Sequence, residues 1–315
     1  MTRRTYACLA ALFAAVIVFI ALFVRDDFIR PYGGDVLVTV LICCAVRVVF
    51  LRLPLLPLWV FLFAAGVEIG QAFGLVDLLG LGHIPFFRIA LGTTYSTADL
   101  LCYAVGCALF WAAEARVALT ARNFAHNRAL AEVAEACRGE DSLYHGQCRP
   151  GLDAMRFGYY SVGRSGCGPI GICNALCRCG IERPLPEVIA SAEIGIPFFG
   201  AMIGLSPLAI PFILRRLLHR SDYHGLRVRY RLRLPDHLPP DGVLILTHFN
   251  SRRLRDGAHT VTLYAEGDEI CVANVYGRST APIRYSTPAA YLRGRRMLGA
   301  VMVTPRAGKP YKQGD

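Results

Sequence analysis

Hydrophobic positions along this chain fall into two regimes. Up to about residue 120 they gather in runs of roughly 18–25 residues, the length that carries an α-helix across a bilayer. Beyond that point apolar and polar positions mix in short periods, the mark of a globular domain. The runs predict four membrane spans, over residues 5–24, 36–53, 58–75 and 99–119. The first run is long and three more follow it, so it reads as a retained anchor rather than a cleaved signal peptide. A semi-apolar stretch over residues 80–99 reads as an interfacial or re-entrant segment. The predicted layout is an α-helical transmembrane bundle over 1–119, a helix and polar linker over 120–152, an α+β domain over 153–304 and a basic tail over 305–315.

The second half carries its own pattern. Residues 168–179 read as a helix ended by Gly180 in the usual glycine role after the last turn. A second helix is expected near 207–219. The apolar run over 196–214 could pass for a fifth span, but its prolines, glycines and amphipathic "SPLAIPFILRRLL" favour a globular helix-loop-helix. Four strands follow: "LRVRYRLRL", "GVLILTHF", "HTVTLYAE" and "EICVANVY". In the first, Leu226, Val228, Tyr230, Leu232 and Leu234 take one face and Arg227, Arg229, Arg231 and Arg233 the other. That is a half-buried strand with either a solvated, edge-protecting face or a basic patch.

Charge sharpens this division. Residues 1–120 hold 8 Arg against 7 Asp/Glu, and the rest holds 26 Lys/Arg against 16 Asp/Glu, so nearly all of the formal +11 lies in the second half. A basic domain tethered to a membrane is expected to lie against anionic lipid head groups, at about 1 kcal/mol per Lys/Arg near the surface. A solvated charged face is equally compatible. Nothing resembles a nucleic-acid module. Arg3, Arg4, Arg47, Arg52, Arg116, Arg122 and Arg128 fall on one side of the spans, Arg25, Arg30 and Arg88 on the other. The positive-inside rule then puts both termini in the cytoplasm. Arg47, Glu68, Gln71, Asp99 and Glu114 lie within or beside the apolar runs. They read as buried pairs or snorkelling end residues, with a transport or ligand role as the alternative. The twelve cysteines follow no disulfide framework, which suits a reducing compartment. Cys8, Cys43, Cys44, Cys102 and Cys107 sit inside the runs as small hydrophobes.

The stretches "RDDFIRPYGGDVLVTVLICCAVR", "FLFAAGVEIGQAFGLVDLLGLG" and "RIALGTTYSTADLLCYAVGCAL" resemble a small uncharacterised bacterial family of four-helix membrane proteins, labelled ribosomal-maturation-like. The shared positions are Arg30, Gly34, Asp35, Glu68, Gln71, Asp77, Gly92 and Asp99. The resemblance implies a four-helix fold in a bacterial inner membrane and no particular chemistry.

The chemistry-bearing stretch is "SVGRSGCGPIGICNALCRCG", residues 161–180. Pro169 suits the first turn of a helix, which puts Cys167 at the helix start. There the helix dipole and free N–H groups favour the thiolate, the nucleophilic form. Gly166 and Gly168 are expected to leave room for a substrate carbonyl, and Gly171 for a partner strand. Among eight histidines, His259 has the best context for a base, since it opens a strand directly after a loop. Asn274 ends the next strand, across a tight turn at Glu266, Gly267 and Asp268, so its amide oxygen could hold the second ring nitrogen. His248, within the preceding strand, is the competing base. Cys173, Cys177 and Cys179 read as helix packing, since their spacing matches no metal pair, and no cofactor or metal is expected.

The combination of "GCGPIGICNAL" with "GAHTVTLY" and "ICVANVY" resembles the papain-like cysteine peptidases, closest to their C39-like branch. That resemblance covers about residues 155–280. It implies Cys167 as nucleophile, His259 as general base and Asn274 as orienting residue, in a membrane-anchored hydrolase of peptides or amides. The family carries a glutamine as oxyanion donor six residues before the cysteine. Ser161 stands there in this chain and becomes the oxyanion candidate. The alternatives are an inactive scaffold that keeps the papain-like shape, or an acyl or glutamyl transferase on the same three residues.

Overall fold

A computed structural model of the protein describes residues 1–26, 28–73, 95–194, 204–219, 225–251 and 256–305. The chain divides into two compact units, Met1–Ala118 and Leu119–Asp315.

The first unit is helical. Helix α1 spans Arg3–Phe23 and starts at Thr2, whose side chain accepts from the Thr5 N–H. A π-helical turn, Ile29–Gly33, leads directly into α2, Gly34–Val49. Helix α3 spans Leu56–Ala72 and α4 spans Thr97–Ala129. Among the described residues three stretches are long and apolar enough to cross a membrane: Arg3–Phe23, Ile29–Val49 and Thr97–Ala129. Helix α3 is apolar but has 17 residues, about 25 Å of rise against a hydrocarbon core of roughly 30 Å. The expected span over 58–75 therefore appears as a shorter helix, and residues 74–75 of it lie outside the described residues. So does most of the expected interfacial segment, with Asp77, Arg88 and Gly92.

Outward faces of these helices carry large apolar side chains, among them Phe19, Phe23, Leu101 and Trp111. Such a surface is unfavourable in water and natural in lipid. The polar residues point inward and are paired. Arg47 meets Glu114 through two 2.8 Å bonds, Nε to Oε1 and Nη2 to Oε2, and its Nη1 donates to the Leu53 carbonyl at 2.7 Å. The Tyr6 hydroxyl also donates to Glu114 Oε1, at 2.5 Å. Glu68 accepts from the Tyr103 hydroxyl and the Ser96 N–H, and Asp99 from the Ser96 hydroxyl. Buried pairing is thus what Arg47 and Glu114 do.

The second unit is built on a six-stranded antiparallel sheet, order β3-β8-β4-β5-β6-β7. Its strands are β3 Leu226–Arg231, β4 Val243–Phe249, β5 Ala258–Glu266, β6 Glu269–Ala273, β7 Ile283–Tyr285 and β8 Arg296–Pro305. A two-residue hairpin, β1 Arg156–Phe157 and β2 Tyr160–Ser161, precedes it. Helices α5 Cys167–Arg178, α6 Leu185–Ile194 and α7 Ile210–His219 contribute to one core, with Ile170, Val188 and Ile213 meeting Val228, Ile245 and Val301. A second core holds Leu244, Leu246, Val261, Leu263 and Met302, with Tyr291 from the short helix α8, Pro288–Leu292. The two cores follow from strand alternation: Val243 and Ile245 join the first, Leu244 and Leu246 the second.

Several sequence expectations shift here. Over 120–152 helix is present, since a short helix at Ala131–Glu135 follows α4, but the stretch after it is packed rather than a free polar linker. Helix α4 runs unbroken to Ala129, and Leu143, Tyr144, His145 and Gln147 are buried. The four expected strands become six, because β7 and β8 were not read. Strand β8 lies between β3 and β4 and runs through Pro305, where a tail was expected to begin. Strand β3 stops at Arg231, so Leu232, expected to be buried, is 79% exposed. Its arginines at 227, 229 and 231 are exposed on the sheet's outermost strand, where charge discourages edge pairing. Ile210, Ile213, Leu214 and Leu217 are buried in the core, so 210–219 is a globular amphipathic helix. Residues 195–203 lie outside the described residues.

Candidate active site

Helix α5 opens on Cys167 and lies across β4 and β5. The close approach depends on Gly171. A Cβ there would meet Thr260 Cγ2 at 3.2 Å and Ile245 Cγ2 at 3.3 Å, and its carbonyl accepts from the Thr262 hydroxyl at 3.3 Å. The same approach brings the helix start to His259, the second residue of β5. Gly168 serves a different end from the one expected. A Cβ on it would come within 2.6 Å of the Leu205 side chain, so its missing side chain accommodates Leu205.

The His259 ring and the N–H and hydroxyl of Thr260 lie close enough to the Cys167 thiol to favour its charged form. The His259 Nε2–H donates to the main-chain carbonyl of Asn274 at 2.5 Å, which leaves Nδ1 for the sulfur. This differs in detail from the expected Asn274 amide contact. Asn274 adopts φ +65° just past the end of β6, and that turn points its carbonyl at the imidazole. Asparagine tolerates the left-handed region better than most residues. Its side chain works elsewhere: Oδ1 accepts from the Gln147 N–H at 3.2 Å, while Nδ2 donates to Gln147 Oε1 and to the Thr260 carbonyl, both at 3.3 Å.

Burial by itself would raise the Cys167 thiol. The His259 hydrogen bond and charge, with the Thr260 N–H and hydroxyl, outweigh it and hold the thiol below its ordinary value. Burial would likewise lower His259, but the thiol bond, the thiolate charge and the Asn274 carbonyl hold it above its ordinary value. Each group favours the charged form of the other. The other helix cysteines go the opposite way, burial pushing Cys173 and Cys179 up to about 12. All twelve cysteines are free.

His248 sits opposite His259 in the β4–β5 register, with ring centroids 6.3 Å apart. Both of its nitrogens are committed: Nδ1 donates to the Phe249 carbonyl at 3.0 Å and Nε2 accepts from the Tyr291 hydroxyl at 2.7 Å. Burial drives its pKa down to about 4. It is a neutral support beside His259 and has no contact with the thiol.

Ser161 is not brought into this cluster. Its hydroxyl caps a helical turn by accepting from the Arg164 N–H and donates to Asp153 Oδ1 at 2.8 Å. The glutamine that does reach the site is Gln147, unread in the sequence. Its Nε2 donates to the Gly163 carbonyl at 2.8 Å and keeps a second N–H. Helix α5 holds it in place indirectly, since Asn174 grips Tyr144 through both N–H and C=O at 2.9 Å. Thr260, which contacts the sulfur directly, was also unread.

A cleft of about 410 Å³ lies beside the pair, lined by Gln147, His248, Asn250, His259, Tyr291 and Arg295 among others. Cys167 is 8% exposed and does not itself line the cleft. Among the described residues no group of three or more His, Cys, Asp or Glu is set to hold a metal ion.

One family model, described as a protein of unknown function (DUF2809), matches residues 24–107, which lie in the helical unit. Neither the curated proteins nor the solved structures contain a match to the chain.

Proposed function

We propose that this chain is a membrane-anchored cysteine hydrolase that cleaves a peptide or amide bond through a thioester. The observation that carries the reading is the row from Cys167 to His259 to the Asn274 carbonyl, with the thiol held below and the imidazole above their ordinary values. The Cys167 thiolate adds to the substrate carbonyl carbon, forming an S–C bond. The C–N bond then breaks, and the His259 imidazolium gives its proton to the leaving amine. Neutral His259 next takes a proton from water as the water oxygen attacks the thioester. The acid product leaves and the thiolate–imidazolium pair is restored. The second N–H of Gln147 and the free N–H groups at the start of α5 are the oxyanion donors in this reading.

A papain-like fold of the C39-like branch fits a cysteine at a helix start packed on an antiparallel sheet, with histidine and asparagine supplied by successive strands. The helical unit is read as four spans, with α3 in the third. The inner membrane of a bacterium with both termini cytoplasmic follows from the arginine distribution. The arginines of the second half meet anionic head groups of that bilayer.

The test is alkylation of the full chain by iodoacetamide at neutral pH, with sites read by mass spectrometry. Cys167 should label at least ~100-fold faster than Cys173 or Cys179, and replacing His259 by Ala should remove that advantage. Equal labelling of these cysteines defeats the hydrolase reading.

A further inference from the structure

The cleft beside His259 is electrically one-sided. Arg295 lines it, and no Asp or Glu among the described residues does. Cys167 and His259 share one transferable proton and are together neutral whichever of them holds it, so the Arg295 guanidinium sets the sign of the cleft. It is also held in place. Its Nη1 donates to the Tyr291 carbonyl at 2.5 Å, and its guanidinium carbon lies 4.6 Å from the centroid of the Tyr291 ring. Tyr291 is itself buried and bonded to His248. Four other arginines in the protein, Arg47, Arg138, Arg183 and Arg284, each meet a carboxylate. Among the described residues none meets Arg295. Its field reaches both imidazoles, opposing their protonation, as a cation facing the same space should.

A guanidinium has five N–H donors in a planar fork that matches a carboxylate in two parallel bonds. One is spent on Tyr291. From this we infer that the cleft selects substrates carrying a carboxylate close to the scissile amide, and that Arg295 receives it. The inference rests on the hydrolase reading above and adds to it a substrate class. The carboxylate is either an acidic side chain or a free chain terminus, chemically the same group to Arg295.

Iodoacetate and iodoacetamide are matched probes, differing in one carboxylate. For the full chain, the ratio of their rate constants at Cys167 is measured against the same ratio for free cysteine. Taking a ratio within each protein cancels any general change in thiol reactivity. Arg295→Gln should lower the ratio about tenfold, and Arg295→Lys should retain most of it. A change of less than about twofold in Arg295→Gln overturns the inference and leaves the hydrolase reading standing. If neither reagent selects Cys167 over the other cysteines, the hydrolase reading fails and the inference falls with it.

A second measurement needs no variant. N-acetylglutamic acid α-amide offers only a side-chain carboxylate, N-acetylglycine only a terminal one, and N-acetylglutamine α-amide neither. One of the first two should protect Cys167 of the wild-type chain from iodoacetamide, and which one does identifies the source. Protection no better than that given by the uncharged diamide overturns the inference.

Discussion

The Arg47–Glu114 pair of the helical unit and the Cys167–His259 pair of the second unit are arranged to opposite ends. In the helical unit Arg47 and Glu114 share two hydrogen bonds, and Leu51, Leu53 and Tyr6 supply further ones. In the second unit Cys167 and His259 are also mutually stabilised, but the imidazole borders a cleft and the glutamine beside it keeps an N–H to give. A pair closed on all sides holds a fold together. A pair with one side open retains capacity to act on something else.

The largest effect should come from breaking the closed pair. Glu114→Gln leaves the Arg47 cation without its counter-charge and should cost about 3–5 kcal/mol. Replacing both residues by apolar ones of similar volume should cost much less than the sum of the single changes. A double-mutant cycle on unfolding in detergent measures this. A cost for Glu114→Gln below about 1 kcal/mol would break the comparison, since the closed pair would then carry no structural weight.

Next comes the neutral imidazole that backs the open pair. His248 titrates in the unfolded chain near its ordinary 6.5 and in the folded one near 4. Its folded value is depressed, so the unfolded chain binds the extra proton first. Stability is intact above pH 6.5 and falls as pH drops toward 4, by about 3 kcal/mol for this group. Denaturant midpoints taken between pH 7 and 4 should show that slope, and His248→Gln should flatten it.

The smallest effect sharpens the role of Asn274. Both Asn274→Ala and Asn274→Gly lose the bonds to Gln147 and Thr260, but only alanine also resists φ +65°. The alanine variant should be less stable than the glycine variant by about 1 kcal/mol in urea unfolding. Cys167 labelling should slow less in either than in His259→Ala, because the contact to His259 is a main-chain carbonyl.

What could be read in advance followed the range of the forces involved. Long apolar runs announce α1, α2 and α4 because lipid solvation is a local property of sequence. The alternation in β4, β5 and β6 was equally visible, and so was the entry of α5 at Cys167 and Pro169. Strand β8 was not, because its place between β3 and β4 rests on pairings between residues 47 to 79 positions apart, with no local mark. The segment holding Gln147 was taken for a linker on its polar letters, although Leu143 and Tyr144 beside it signalled burial. Ser161 was chosen by counting back along the chain, whereas Gln147 arrives through the Asn174 clamp on Tyr144. Distance along the chain was a poor guide to that site.

Strand β8 also bears on timing. It pairs on one side with β3 and on the other with β4, yet it is made after both. The sheet that carries His259 therefore stays unfinished while the ribosome adds the stretch up to Pro305, on the order of ten seconds of synthesis after α5 has emerged. Through that interval the β4–β5–β6 strands around His259 and Asn274 lack the strand that flanks β4. On the hydrolase reading proposed above, the site would stay incomplete while its own nascent chain is the nearest available polypeptide.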